Sequence, residues 1–138
     1  MKLTDVDIKK IQNYFVAQKD IVAVYLYGSF AKGSTHKKSD IDLGILFDGK
    51  VNLYHRLGQI YSDLPNLHVE PDVRELSLDH SPVYLLSVIQ GQLIYSRDER
   101  ERIHFEVEVM RRFYDTQRLR DINLAYMRQR LQEGTYGY

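Results

Sequence analysis

The chain has 138 residues, 43% of them apolar, with 19 Lys+Arg against 19 Asp+Glu and no cysteine. That length suits a single domain around one core, residues 1–138, and zero formal net charge argues against nucleic acid as a direct ligand, since proteins that neutralise many phosphates carry a basic excess. Without cysteine there are no disulfides, thiolate zinc sites or cysteine nucleophiles. The start, Met1-Lys2-Leu3-Thr4-Asp5, lacks the apolar segment of a secretory signal, and no apolar run approaches the ~20 residues of a membrane helix. A cytoplasmic protein with no membrane partner is expected.

In chain order, Ile8, Ile11, Tyr14 and Phe15 repeat at helical spacing and predict a helix over Val6 to Gln18, capped by Thr4 or Asp5. Ile21 to Tyr27 is β-branched and aromatic, and reads as a buried strand ending at Gly28. Gly28 to Lys38 is a Gly-, Ser- and Lys-rich loop; Ile41 to Phe47 is a second strand, stopped by Asp48-Gly49. Leu53, Leu57, Ile60, Tyr61 and Leu64 fit a helix closed by Pro65-Asn66. Leu67 to Leu76 reads as a third strand, and Pro71 within it points to a sheet edge or a bulge.

Pro82 opens a helix to Gln90, with Gly91 as the expected C-cap, and Leu93 to Tyr95 is a short strand. Asp98 caps a helical tail over about 98–133, following a core of about 1–97. Its stripe Ile103, Val107, Met110 and Tyr114 continues as Leu124, Met127 and Leu131 after an expected break near Asp115-Thr116. The expected class is α/β (α+β), a mixed sheet flanked by helices.

The stretch with chemistry is Gly28-Ser29, ten residues, then Asp40-Ile41-Asp42. Residues two apart on a strand share a face, so the Asp40 and Asp42 carboxylates can clamp magnesium, or manganese in its place. Bare carboxylates so close repel each other, which favours a cation between them. Gly28 can turn sharply so that backbone N–H groups meet a phosphate, and the Ser29 hydroxyl adds a donor. Lys32 and Ser39 are further candidate nucleotide-binding residues.

A third carboxylate should come from a neighbouring strand. With Val73 facing the core, Asp72 and Arg74 share the opposite face and Glu75 goes with Val73. Asp72 is the first choice, as metal ligand or as general base, and Glu70 the second.

This constellation resembles the minimal nucleotidyltransferases of the DNA polymerase β superfamily, whose signature is Gly-Ser, ten residues, then Asp-x-Asp. The resemblance runs from about Ile21 to Arg112 and includes Asp72-Val73-Arg74-Glu75-Leu76 as the third-carboxylate strand, departing from the family where Arg74-Glu75 replaces more apolar residues. It implies a polymerase-β-like nucleotidyltransferase fold, with ATP as substrate and Asp40, Asp42 and Asp72 as catalytic magnesium ligands. Many such proteins are antitoxins paired with HEPN-family RNase toxins, which implies AMPylation of a toxin tyrosine. Transfer to a small-molecule hydroxyl and inhibition by occlusion alone are the rival readings.

Arg97, six residues, then His104 superficially matches an RNase motif of those toxins, but Glu106 stands where its tyrosine would be. The tail arginines are better explained by nearby acids, as Glu108 with Arg112 at i, i+4, or by a partner-binding face.

Overall fold

The computed structural model describes residues 4–28, 41–64, 67 and 70–134. Helix α1 spans Asp5–Val16, and Thr4 is its cap: Asp7 N–H donates to Thr4 Oγ1 (3.2 Å) and Thr4 N–H donates to the Asp7 carboxylate (3.1 Å). This reciprocal pairing satisfies two helix-end donors and explains how the charged Asp7 is fully buried.

Strands β1 (Ile21–Tyr27) and β2 (Ile41–Phe47) have the bounds their apolar runs predict. Helix α2 is Leu53–Asp63, β3 is Pro71–Glu75, α3 is Pro82–Ile89, β4 is Gln92–Ser96 and α4 is Glu99–Gln132. The strand order is β3-β2-β1-β4; β1 runs antiparallel to β2 and β4, while β2 and β3 are parallel. The sheet is therefore mixed. β3 is an edge strand whose first residue is Pro71, where a missing N–H costs the ladder nothing.

Helices cover both faces, so β1 is buried along its whole length. One core lies under α1 and α2 and joins Ile11, Phe15, Leu26, Leu43, Ile45 and Ile60; the other lies under α3 and α4 and joins Tyr25, Tyr27, Leu76, Leu85, Val88 and Val109. Arg56 on α2 ties the first layer together. It donates to both oxygens of Asp20 (2.7 and 2.8 Å) and to Gln18 (2.7 Å).

Three sequence expectations change. The third strand starts at Pro71 rather than Leu67. The cap of α3 is Gln90, and Gly91 is not left-handed; its lack of a side chain matters because a Cβ there would press on the Leu26 carbonyl and lie 3.1 Å from Tyr27 Cα. α4 has no break at Asp115-Thr116 and runs 34 residues unbroken. Thr116 returns its hydroxyl to the Arg112 carbonyl (3.0 Å), and Arg120 caps the Phe113 carbonyl (2.7 Å) while lying 4.1 Å over the Phe113 ring. The Thr116 hydroxyl is thus satisfied by the helix's own preceding turn, which lets the helix run on through a weak helix former.

The face of α4 turned to the sheet also differs from the apolar stripe. Phe105 and Val109 are buried, and Tyr25 donates to Glu106 (2.5 Å), which Arg102 also holds (2.8 Å). Ile103, Val107, Met110 and Tyr114 face outward. The predicted Glu108–Arg112 pair is present at 3.8 Å, with Arg111 nearer Glu108 at 2.7 Å.

Candidate active site

The chemistry-bearing residues gather where β1 ends and β2 and β3 begin. Alternation sends Ile41, Leu43 and Ile45 into the α1/α2 core, so Asp42 points to the other face; Val73 likewise sends Asp72 and Arg74 there. The register then decides the site. Asp42 pairs with Tyr27 on β1 and with Asp72 on β3, so Tyr27, Asp42 and Asp72 stand abreast in three consecutive strands. Neighbouring strands are ~4.8 Å apart, which sets the two carboxylates within reach of one small cation.

Gly28 closes this row. Its φ is +80°, a conformation that side chains rarely adopt, and a Cβ on it would collide with Asp42 Oδ2 and lie 3.4 Å from Asp42 Cγ. The chain thus turns tightly against the carboxylate. On the other side, Arg74 Nε donates to Asp72 Oδ2 at 3.3 Å. The Asp72 carboxylate holds the Arg74 guanidinium above its ordinary pKa. The Tyr27 hydroxyl lies 2.8 Å from that of Tyr84 on α3, and burial first, then this pairing and the nearby Asp42 carboxylate, push the Tyr27 phenol far up. Tyr27 is a neutral, fixed wall and not a proton carrier at neutral pH.

Of the residues singled out from sequence, Gly28, Asp42 and Asp72 are brought together here. Asp40, Ser29, Lys32 and Ser39 lie outside the described residues. Glu70 is drawn away from the row: its carboxylate accepts a hydrogen bond from Tyr61 on α2, and its backbone carbonyl accepts from Ile41 N–H (2.9 Å). Sequence reasoning missed the Tyr27–Tyr84 pair and the Arg74–Asp72 contact. The first joins residues 57 apart, so no local pattern announces it; the second is visible as an acid and a base at i, i+2 on one strand face.

Two oxygen-donor carboxylates side by side suit a hard cation such as magnesium, which takes one or two carboxylates and completes its shell with water and phosphate oxygens. Among the described residues no group of three His, Asp or Glu side chains has metal-binding geometry. Asp42 and Asp72 are the members of the expected triad that fall within them.

Among proteins of curated function none matches the chain by sequence. The family model for polymerase beta nucleotidyltransferases matches residues 9–100. Among solved structures, a chain of a toxin-antitoxin complex with AMP-PNP superposes with a TM-score of 0.64 at 20% identity, covering 89% of this chain and 97% of that one. A chain of the MntA–HepT toxin-antitoxin complex gives 0.62 at 17% identity, covering 88% and 97%. A chain of the tri-AMPylated Shewanella oneidensis HEPN toxin in complex with MNT antitoxin gives 0.60 at 16%, covering 86% and 96%. These likenesses are to the fold. With two thirds of its length matched by the family model, and with that fold, the chain belongs to the polymerase beta nucleotidyltransferase family and is an enzyme of that class, with a nucleotide as substrate.

Proposed function

We propose that the protein is an antitoxin-type adenylyltransferase that moves AMP from ATP to a tyrosine hydroxyl of a HEPN-family RNase toxin, with magnesium. The observation that carries this reading is the Asp42–Asp72 pair, set beside the tight turn at Gly28 in a chain of this family. The partner and acceptor are supported by the structural neighbours, which are toxin-antitoxin complexes, one with AMP-PNP and one with an AMPylated toxin.

Asp40, Asp42 and Asp72 would hold the cation, which when bound neutralises charge on the triphosphate. Gly28 and Ser29, with Lys32 and Ser39, receive the phosphates. Asp72 accepts the proton of the attacking phenol, whose ordinary pKa near 10 leaves it a poor nucleophile at neutral pH. The phenol oxygen forms a bond to the α-phosphorus, the bond from that phosphorus to the bridging oxygen breaks, and pyrophosphate leaves.

The toxin docks on α4. The outward stripe Ile103, Val107, Met110 and Tyr114 is 38–64% exposed on a helix about 50 Å long, an apolar surface that suits another helical protein. The core of residues 1–97 and this tail act as one domain. Incubation with the cognate toxin, ATP and magnesium should add AMP to the toxin by intact mass, and Tyr→Phe at the acceptor should abolish the addition. Full neutralisation of an unmodified toxin would mean occlusion instead, and adenylation of an aminoglycoside would favour a small-molecule acceptor.

A further inference from the structure

Beyond the two carboxylates, the outer edge of β3 carries a cleft of about 470 Å³. Leu57, Val73 and the Tyr84 ring form its apolar wall, and Arg74, Glu75, His80 and Ser81 supply polar groups. Two contacts join the cleft to the site. Arg74 reaches Asp72 (3.3 Å), and the Tyr84 hydroxyl meets that of Tyr27 (2.8 Å), the register partner of Asp42. The His80 ring sits edge-on to Tyr84 with centroids 5.7 Å apart, so the wall is aromatic at two places.

The lateral order is Gly28 at the end of β1, Asp42 on β2, Asp72 on β3, then the cleft. Displacement at phosphorus sets the entering and leaving oxygens roughly in line, on opposite sides of the reacting atom. With the pyrophosphate leaving towards the Gly28 turn, the attacking hydroxyl has to enter from the β3 side. β3 is the edge of the sheet, so no further strand stands in the way.

We infer that this cleft is the acceptor subsite and takes the aromatic side chain that carries the attacking hydroxyl, an assignment that rests on the proposed transfer to tyrosine. A cleft of this size accommodates a phenol ring together with part of its backbone. The ring packs on Tyr84 and His80, at the face of β3 that carries Asp72, and Arg74 can lie over it as a cation on a π system. The hydroxyl then points to Asp72, which receives its proton as the new oxygen–phosphorus bond forms and pyrophosphate departs. The nucleotide keeps the Gly28 side.

The absence of cysteine from the chain allows a clean test. Ser81 is exposed and makes no side-chain capping bond, so Ser81→Cys should fold normally and accept a bulky maleimide at the cleft mouth. In the full chain, labelling should cut AMP transfer to the cognate toxin by about tenfold or more while ATP affinity stays within about twofold. N-acetyl-tyrosinamide, followed by NMR in the millimolar range, should shift the His80 and Tyr84 signals of the unlabelled variant and not of the labelled one. Undiminished transfer after labelling, equal loss of ATP binding, or tyrosinamide binding elsewhere or nowhere would each overturn the assignment. If tyrosinamide occupies the cleft but the unlabelled enzyme leaves the toxin without AMP, the transfer reading fails and the cleft is a tyrosine-binding site without an acceptor role.

Discussion

Gly28 and Asp42 touch so closely that no side chain fits between them: a Cβ on Gly28 would overlap the Asp42 carboxylate, and its φ of +80° already disfavours one. The obstacle is the end of a side chain that can swing away, so the fold should survive Gly28→Ala at a cost of about 1–2 kcal/mol from backbone strain. The displaced group is a proposed metal ligand, so function should suffer more than stability. We expect transfer to drop by about 100-fold or more with only a modest fall in Tm; a variant with equal activity would show that the Asp42 position is not critical.

The carboxylates should separate by position. Asp40→Asn, Asp42→Asn and Asp72→Asn should each lower transfer by on the order of 10³-fold or more, the loss expected when charge stabilisation at a transferring phosphoryl group is removed. Glu70→Gln, whose carboxylate is engaged by Tyr61 on α2, should keep most activity. Rates at saturating ATP, with circular dichroism to verify folding, decide between these positions. A dead Glu70→Gln beside an active Asp72→Asn would reverse the assignment.

Removing the cation should weaken nucleotide binding as well as turnover, because Asp42 and Asp72 then face the triphosphate without compensation. Calorimetric titration of ATP should show much weaker binding in chelator and recovery with magnesium or manganese. Equal affinity in both conditions would remove the case for a metal-bridged nucleotide.

The Asp20–Arg56 pair should make stability depend on acid. Hydrogen bonding to Arg56 is the main cause that holds the Asp20 pKa below its ordinary 3.8. A depressed carboxylate contributes stability at neutral pH, and that contribution is lost as pH falls through its folded pKa. Asp20→Asn should therefore lower stability by about 1–2 kcal/mol at pH 7, between the worth of exposed and buried pairs. The Tm gap to the wild type should close as pH falls below the ordinary carboxylate range, and a gap that persists unchanged in acid would assign the effect to packing.

The outward stripe of α4 predicts a separation of function. Val107→Asp and Met110→Asp lie at positions 51% and 38% exposed, so the Tm should change little. Toxin binding by calorimetry should weaken by about tenfold or more if this is the docking face. ATP binding should be untouched, and unchanged toxin affinity would move the interface elsewhere.

Much of this protein is legible in local sequence. The run Ile21–Tyr27 specifies one central strand because a continuous apolar stretch of that length is stable only when buried, and Ile41, Leu43 and Ile45 specify the other by alternating with Asp42. The period of two at Val73 assigns Asp72 and Arg74 to one face before any partner is known, and Asp98 caps the last helix through Glu101 N–H (3.1 Å). Only the tertiary structure decides that β3 lies beside β2, which turns two aspartates 30 positions apart into neighbours. Alternation gives a strand its faces, whereas its neighbour is chosen by packing summed over the whole sheet. For the same reason the sequence does not reveal that Ile103 and Val107 face outward while Phe105 and Val109 are buried. Both sets repeat at helical spacing, and it is the α3 and β1 surfaces that choose which one to cover.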